Sequence, residues 1–151
     1  MIVRAGGLDH PATAALLAAH LGDMRASSPP GSVHALDLSA LATPDIAFYT
    51  AWDGEALLGC GALRMPGDGT GEVKSMRTDA GARGRGVGQA VLDRIVADAR
   101  AHGLRRLLLE TGTGAMFDAA HRLYARNGFA TCPPFGSYVA TDFNRFLSRA
   151  L

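Results

Sequence analysis

The chain has 151 residues, 48% of them hydrophobic and 19% charged, which is a globular composition and excludes an extensively disordered protein. Lysine and arginine total 15 against 14 aspartates and glutamates, so the net charge of +1 provides no overall basic surface for nucleic acid or for an anionic membrane. We expect a single domain over residues 1–151, with any anion site confined to a local cluster of residues.

The N-terminus carries no sign of export. Residues 1–4 lack a basic stretch followed by an apolar core, and the Ala/Leu-rich run over 12–21 is interrupted by polar residues and too short to span a bilayer. We therefore expect a cytoplasmic protein without a membrane partner.

The two cysteines, Cys60 and Cys132, each lie among apolar residues. They share no short metal-ligand spacing with one another or with the 5 histidines, so we expect no metal site. We interpret both as buried free thiols, with a disulfide or a redox site as the alternatives.

The first half of the chain predicts a strand, a helix and an antiparallel hairpin. Asp9 and Pro11 are typical of a helix start, and Asp53-Gly54 is a hairpin signal between two apolar runs. Strands are predicted over 2–5, 46–52 and 56–63, a loop over 25–37 and one helical turn over 38–41.

The second half contains a Gly-rich segment, 83–88, that joins a strand to an amphipathic helix. Hydrophobic residues repeat at helical spacing as far as Ala99, and His102-Gly103 ends the helix. The other predicted elements are strands over 72–78, 107–109 and 129–132, a helix through Tyr124 that Asn127-Gly128 closes, and a last strand over 143–147 at the sheet edge. This order predicts an α/β fold with a mixed sheet covered by helices.

The Gly-rich segment has the chemistry of a diphosphate site. Its residues are Arg83, Gly84, Arg85, Gly86, Val87 and Gly88. Three glycines at alternate positions let backbone N–H groups converge, the next helix directs its positive N-terminus at the same point, and two arginines add charge. Gln89 stands where a dinucleotide fingerprint needs glycine, and a triphosphate loop needs a Lys-Ser/Thr pair that is missing here. A flexible Gly-rich turn is the alternative interpretation.

The segment 83–88 resembles the pyrophosphate motif of the GNAT superfamily of acyl-CoA-dependent N-acetyltransferases, Gln/Arg-x-x-Gly-x-Gly/Ala. The strand Glu-Val-Lys-Ser-Met at 72–76 and Leu-Tyr-x-x-x-Gly-Phe at 123–129 match the same family, so the resemblance covers 72–129. The first seventy residues agree only in coarse element order. The runs 71–78, 109–112 and 134–138 look like a bacterial branch of indole-acetic-acid-related acetyltransferases.

The resemblance implies a mixed, mostly antiparallel sheet of about seven strands with helices on both faces. It also implies an enzyme that transfers acetyl from acetyl-CoA to an amine, more readily of a small molecule than of a protein. The strand before the motif would splay from its neighbour and pair with the pantetheine arm. The expected cofactor-binding residues are Met76, Arg77, Thr78, Arg83, Gly84, Arg85, Gly86, Val87, Gly88 and Gln89.

Two residues are candidates for the proton transfers. Tyr124 lies where many members of the superfamily place a hydroxyl near the thioester sulfur, and the ordinary tyrosine pKa of about 10 suits protonation of a thiolate. Glu72, eleven positions before Arg83, resembles the glutamate base of the histone-acetylating branch. The alternative interpretation is a core aromatic for Tyr124 and a surface carboxylate for Glu72. Strand alternation predicts that Glu72 shares its face with Lys74 and Met76.

Four residues are candidates for binding the acceptor. His34 and Asp37 lie in the loop expected to border it, and Ser75 and Tyr138 could bind its polar groups, although a solvated loop histidine is the alternative for His34. The segment 115–117 lacks the asparagine that many relatives carry there, so no cofactor contact is assigned to it.

Two other functions remain open. One is a catalytically silent acyl-CoA sensor or partner-binding module, and the other is a nucleotide-binding oxidoreductase, which the mismatch at Gln89 weakens. Exposed edge strands are compatible with a homodimer.

Overall fold

The computed structural model describes residues 1–27 and 38–151, and the predicted acceptor residues His34 and Asp37 lie outside them. The described strands are β1 (Ile2–Ala5), β2 (Ile46–Asp53), β3 (Ala56–Arg64), β4 (Thr70–Thr78), β5 (Arg106–Gly112), β6 (Ala130–Thr131) and β7 (Asn144–Ala150). The helices are α1 (Pro11–Ser27), α2 (Leu38–Leu41), α3 (Val87–Ala101) and α4 (Asp118–Arg126), with single 3-10 turns at Ala80–Ala82 and Ala115–Phe117. Helix α1 continues past residue 25, where the sequence predicts a loop.

The described strands form a seven-stranded sheet in the order β1-β2-β3-β4-β5-β7-β6. Neighbouring strands are antiparallel except β4 and β5, which are parallel because α3 connects them across one face of the sheet. The expected mixed, mostly antiparallel sheet is therefore confirmed.

Helices cover both faces of the sheet, as expected. The larger hydrophobic cluster lies between the sheet and α3, whose buried residues are Val87, Val91, Leu92, Ile95, Val96 and Ala99. The smaller cluster joins Leu16 and Leu17 of α1 to the opposite face of β2 and β3. Ala62 and Leu63, adjacent in β3, belong to different clusters, because successive side chains of a strand point to opposite faces.

The position predicted for the last strand is wrong. β7 lies inside the sheet, paired with β5 from Arg106↔Ala150 to Gly112↔Asn144, and the two-residue strand β6 forms the edge beyond it. The Cys132 N–H donates to the Phe146 carbonyl, which continues this edge pairing beyond β6. The hydrophobic pattern alone could not show which of the two C-terminal strands, β6 or β7, lies at the sheet edge, because their order depends on pairing between residues that are distant in sequence.

A β-bulge in β4 overturns the predicted facing of Met76. Cys60 pairs with Arg77 and Ala62 pairs with Lys74, so Gly61 of β3 lies opposite two residues, Ser75 and Met76. Ser75 has a φ of 54°, the positive value that an extra residue in a strand often adopts. Met76 consequently packs on the α3 side with Val73, whereas Glu72 and Lys74 face the other way.

The two cysteines differ in burial. Cys60 is buried as expected, and desolvation raises the pKa of its thiol to about 12. Cys132 is only half-buried, so the expectation of a buried thiol is wrong there, because the short edge strand β6 leaves its outer side uncovered. Both are free thiols.

None of the helices in 1–27 and 38–151 combines the length and hydrophobicity that a bilayer crossing requires.

Candidate active site

β4 and β5 separate partway along their length. Their pairing consists of Thr70↔Arg106, Gly71↔Leu107 and Glu72↔Leu108, and a cleft of about 870 Å³ opens beyond the last pair. We call it the β4–β5 cleft. It is lined by the second half of β4, the end of β5, the Gly-rich segment, the first turn of α3 and one side of α4. The splayed strands that the resemblance implies are therefore present.

The Gly-rich segment closes one end of the β4–β5 cleft with exposed backbone. Gly84 and Gly86 have φ values of 77° and 79°, and a Cβ added to either would meet nothing within 4 Å. Gly86 is the N-cap of α3 and provides no side-chain cap, so the first N–H groups of the helix are open to a ligand. Gly88 packs closely on α4, where an added Cβ would lie 3.2 Å from Leu123 Cδ2.

The charges around the β4–β5 cleft suit a phosphorylated ligand. The described cations that line it are Lys74, Arg77, Arg83, Arg122 and Arg126, against the carboxylates of Glu72 and Glu110. Five cations against two anions give a net charge of +3, which together with the open helix N-terminus fits a diphosphate. Sequence reasoning missed Arg122 and Arg126, although their i, i+4 spacing on α4 was the signal that could have found them.

Nine of the ten predicted cofactor residues line the β4–β5 cleft. They are Met76, Arg77, Thr78, Arg83, Gly84, Gly86, Val87, Gly88 and Gln89. Arg85 is placed differently, because its guanidinium lies 3.4 Å from Oδ2 of Asp53, the last residue of β2, and both side chains are more than half exposed.

Gln89 also connects the two helices that border the cleft. Its Nε2 donates to Asn127 Oδ1 at 2.9 Å and its Oε1 accepts from Asn127 Nδ2 at 2.9 Å. Gln89 Nε2 donates to Asp93 Oδ1 as well, and Asn127 Nδ2 caps the Leu123 carbonyl. The first turn of α3 is thereby fixed to the C-terminal end of α4.

Tyr124 is buried in the wall of the β4–β5 cleft. Its ring packs edge-to-face against Phe129 at a centroid distance of 5.6 Å, within the larger hydrophobic cluster. Burial raises the pKa of its hydroxyl above the ordinary range. The hydroxyl therefore stays protonated at neutral pH and is a weaker acid than that of an exposed tyrosine.

Glu72, Lys74 and Tyr138 form a hydrogen-bonded cluster. Lys74 Nζ donates to Glu72 Oε2 at 2.9 Å and to the Tyr138 hydroxyl at 2.7 Å, and that hydroxyl donates to Glu72 Oε2 at 2.6 Å. The Glu72 and Lys74 side chains are 9% and 10% exposed. Burial, and then the hydrogen bond to Glu72, raise the pKa of Tyr138. The sequence indicated Glu72 and Tyr138 separately but not that Lys74 joins them.

A second cavity, of about 780 Å³, lies on the other side of this cluster. Glu72, Lys74 and Tyr138 line both spaces, so these three side chains form the wall between them, whereas Ser75 lines only the β4–β5 cleft. The described charged residues of the second cavity are Asp45, Asp68, Glu72, Arg64 and Lys74, three anions against two cations. The net charge of −1 contrasts with the positive cleft.

No group of three or more histidine, cysteine, aspartate or glutamate side chains within 1–27 and 38–151 is arranged to hold a metal ion.

Comparisons with known proteins agree with this architecture. The sequence model of the Acetyltransferase (GNAT) family matches residues 14–129. The chain is 46% identical over 149 residues to the N-acetyltransferase YedL of Escherichia coli (strain K12), which covers 99% of this chain and 94% of that protein. It is 42% identical over 133 residues to the IAA acetyltransferase of Azospirillum brasilense, with coverages of 87% and 84%.

A solved structure is also similar over nearly the whole chain. It is that of an acyl-CoA N-acyltransferase from Klebsiella pneumoniae subsp. pneumoniae MGH 78578. The two superpose with a TM-score of 0.83 and 28% sequence identity, covering 99% of this chain and 97% of that one.

Proposed function

The chain belongs to the acetyltransferase (GNAT) family, and we propose that it acetylates the amine of a small molecule, with Tyr124 as general acid and Glu72 as general base. The observation that carries this proposal is the pair of oppositely charged cavities separated by one layer of side chains. A positive cleft suits the phosphates of an acyl-CoA, and a negative cavity attracts an ammonium group. The relative from Klebsiella pneumoniae is named for acyl-CoA, in agreement with this donor.

The β4–β5 cleft would hold acetyl-CoA. The open N–H groups at the start of α3 and the guanidinium of Arg83 would bind the diphosphate, and the α4 arginines, Arg122 and Arg126, would add charge for the remaining phosphate. The second half of β4 lies beyond the last β4–β5 pair, Glu72↔Leu108, and borders the cleft, where the pantetheine arm would lie beside it.

The acetyl transfer requires proton movements at the nitrogen and at the sulfur. Glu72 takes one proton from the bound ammonium, directly or through water, and passes it to solvent, which leaves a neutral amine as the nucleophile. The carbonyl carbon of the acetyl-CoA thioester then bonds to the amine nitrogen while its carbon–sulfur bond breaks. Glu72 takes the second proton from that nitrogen, and the Tyr124 hydroxyl gives a proton to the leaving thiolate. Glu72 releases its proton to solvent and the Tyr124 phenolate is reprotonated from solvent, so that the ammonium and acetyl-CoA give an N-acetylamine, free CoA and one proton.

Ligand binding tests the choice of donor. Acetyl-CoA should raise the melting temperature well above any effect of NAD or ATP, because a ligand that binds only the folded state stabilises it. Equal stabilisation by the three compounds would contradict the proposal.

Turnover tests the catalytic assignment. With an amine panel and acetyl-CoA, Tyr124→Phe should lower kcat by about 100-fold while leaving the stabilisation by acetyl-CoA intact, because general acids typically contribute a factor of this order. Parent activity in the mutant would remove Tyr124 from the acid role. Acetyl-CoA binding without turnover of any amine would instead favour the silent sensor.

A further inference from the structure

The two cations that the structure describes in the second cavity, Arg64 and Lys74, are already engaged by carboxylates of the protein, and we infer from this that the acceptors are amines without a carboxylate beside the reacting nitrogen. The inference rests on the proposed function, because it takes the second cavity as the acceptor site. It narrows the substrate class to amines with an apolar or aromatic body, of which phenethylamine is the simplest probe.

Both described cations of the second cavity, Arg64 and Lys74, lie beside carboxylates of the protein. Arg64 Nε lies 3.0 Å from Asp45 Oδ2, and Arg64 Nη1 lies 3.9 Å from Glu72 Oε1. Lys74, the second cation among the described residues, is held by Glu72 and Tyr138. A carboxylate on the acceptor would therefore compete with Asp45 or with Glu72 for its counter-charge.

The second cavity also carries the carboxylates of Asp45 and Asp68. Hydrogen bonds from Thr43 and Arg64 lower the pKa of Asp45, and hydrogen bonds from the side chain and backbone of Thr70 lower the pKa of Asp68. Both carboxylates are ionised at neutral pH. The cavity thus repels a second negative charge and attracts an ammonium group, and repulsion of this kind is an effective source of specificity.

Part of the lining of the second cavity is apolar. Ile46 and Leu108 contribute the sheet side, and Phe135 and Val139 belong to the loop between β6 and β7. Phe135 is held edge-on against Phe146, at a centroid distance of 5.7 Å. These side chains offer an aromatic or aliphatic body a surface to pack on, and the volume of about 780 Å³ is ample for a phenethyl group.

Three matched acceptors test the inference on the unmodified chain. Phenethylamine lacks the carboxylate, phenylalanine carries it, and phenylalaninamide replaces it with a neutral group of similar size. With acetyl-CoA saturating and N-acetyl products quantified by mass spectrometry, we expect kcat/KM for phenethylamine and phenylalaninamide to exceed that for phenylalanine by about tenfold or more. Use of phenylalanine as efficient as that of its amide would overturn the inference.

A substitution at Asp45 tests the role of its ion pair with Arg64. Asp45→Asn keeps a hydrogen-bond acceptor for Arg64 but removes the charge that neutralises it, so the preference for phenylalaninamide over phenylalanine should shrink by about threefold or more. Asp68→Asn removes the same charge from the same cavity without touching Arg64 and should shrink it less. An unchanged preference in Asp45→Asn, or an equal change in both variants, would overturn the assignment.

Failure of the inference and failure of the proposed function can be told apart. If a wider amine panel shows turnover only of amines that carry a carboxylate, the chain is an acetyltransferase and the inferred substrate class is wrong. If acetyl-CoA binds and no amine of either class is acetylated, the proposed function itself fails, and with it the inference.

Discussion

Gln89 in the first turn of α3 exchanges two 2.9 Å hydrogen bonds with Asn127 at the C-terminal end of α4. The sequence places Gln89 beside the Gly-rich segment and Asn127 three positions after Tyr124. The pair therefore fixes the spacing between the expected diphosphate site and the candidate acid.

Loss of this pair should weaken donor binding. In Gln89→Leu we expect the KM for acetyl-CoA to rise about fivefold, equivalent to about 1 kcal/mol, because the first turn of α3 is no longer held against α4. Steady-state kinetics with varied acetyl-CoA provides the measurement. The matched control, Asp93→Ala, removes only the bond that Gln89 Nε2 donates to Asp93 Oδ1, leaves both bonds to Asn127 in place, and should keep the KM for acetyl-CoA close to the parent's. A KM equal to the parent's in Gln89→Leu would show that the pair has no positioning role.

The buried ion pair of Glu72 and Lys74 should contribute strongly to stability. Lys74→Met leaves a carboxylate buried without its cation, so we expect the free energy of unfolding to fall by about 3 kcal/mol. Urea denaturation of Lys74→Met, Glu72→Gln and the double variant measures the coupling, which should reach about 1 kcal/mol or more. Strict additivity of the two single effects would contradict the pairing.

All 3 tyrosines, Tyr49, Tyr124 and Tyr138, have a raised pKa. Burial is the main cause in each, with hydrogen bonds to Asp98 and Glu72 adding to the effect for Tyr49 and Tyr138. Above about pH 10 the unfolded chain releases tyrosine protons that the folded chain retains. The free energy of unfolding should therefore be unaffected by these groups below pH 10 and fall as the pH rises beyond it.

Absorbance at 295 nm checks this behaviour. The native protein should show no tyrosinate at pH 11, whereas the chain unfolded in urea should show nearly complete ionisation. In Tyr49→Phe the decline of stability above pH 10 should be shallower by about one quarter, since one of four linked groups, the three tyrosines and Cys60, is gone. A native tyrosine that titrates near pH 10 would refute the prediction.

Gly59 should be intolerant of a side chain. A Cβ at this position would lie 2.6 Å from Val87 Cγ1 and 2.7 Å from the Arg77 carbonyl oxygen, which belongs to the backbone that borders the cleft. We expect Gly59→Ala to destabilise the fold by about 2 kcal/mol, as overpacking commonly does. Gly22 in α1 is the control, because its Cβ would meet nothing within 4 Å, and Gly22→Ala should stabilise the helix by about 0.5–1 kcal/mol. Thermal denaturation of both variants measures the two effects. A Gly59→Ala variant as stable as the parent, or a Gly22→Ala variant less stable than the parent, would contradict the prediction.

The sequence predicted those features that are encoded over short distances. The Gly-rich segment and the buried face of α3 follow from patterns within a few residues, and the hairpin at Asp53-Gly54 follows from its turn. The cluster around Glu72 was not predicted as a unit, because Tyr138 lies 66 positions further along the chain. The bulge at Ser75 was missed for a similar reason, since it depends on the register against Gly61 of a different strand.

The wall between the two cavities has a mixed origin. Glu72 and Lys74 belong to β4, a central strand paired on both sides over part of its length, whereas Tyr138 belongs to the loop between β6 and β7 at the margin of the sheet. Surface loops accept insertions and exchanges far more readily than central strands. Changes in this loop can therefore alter one side of the wall while β4 keeps the other side unchanged, which under the proposed function would change the acceptor without changing the donor site.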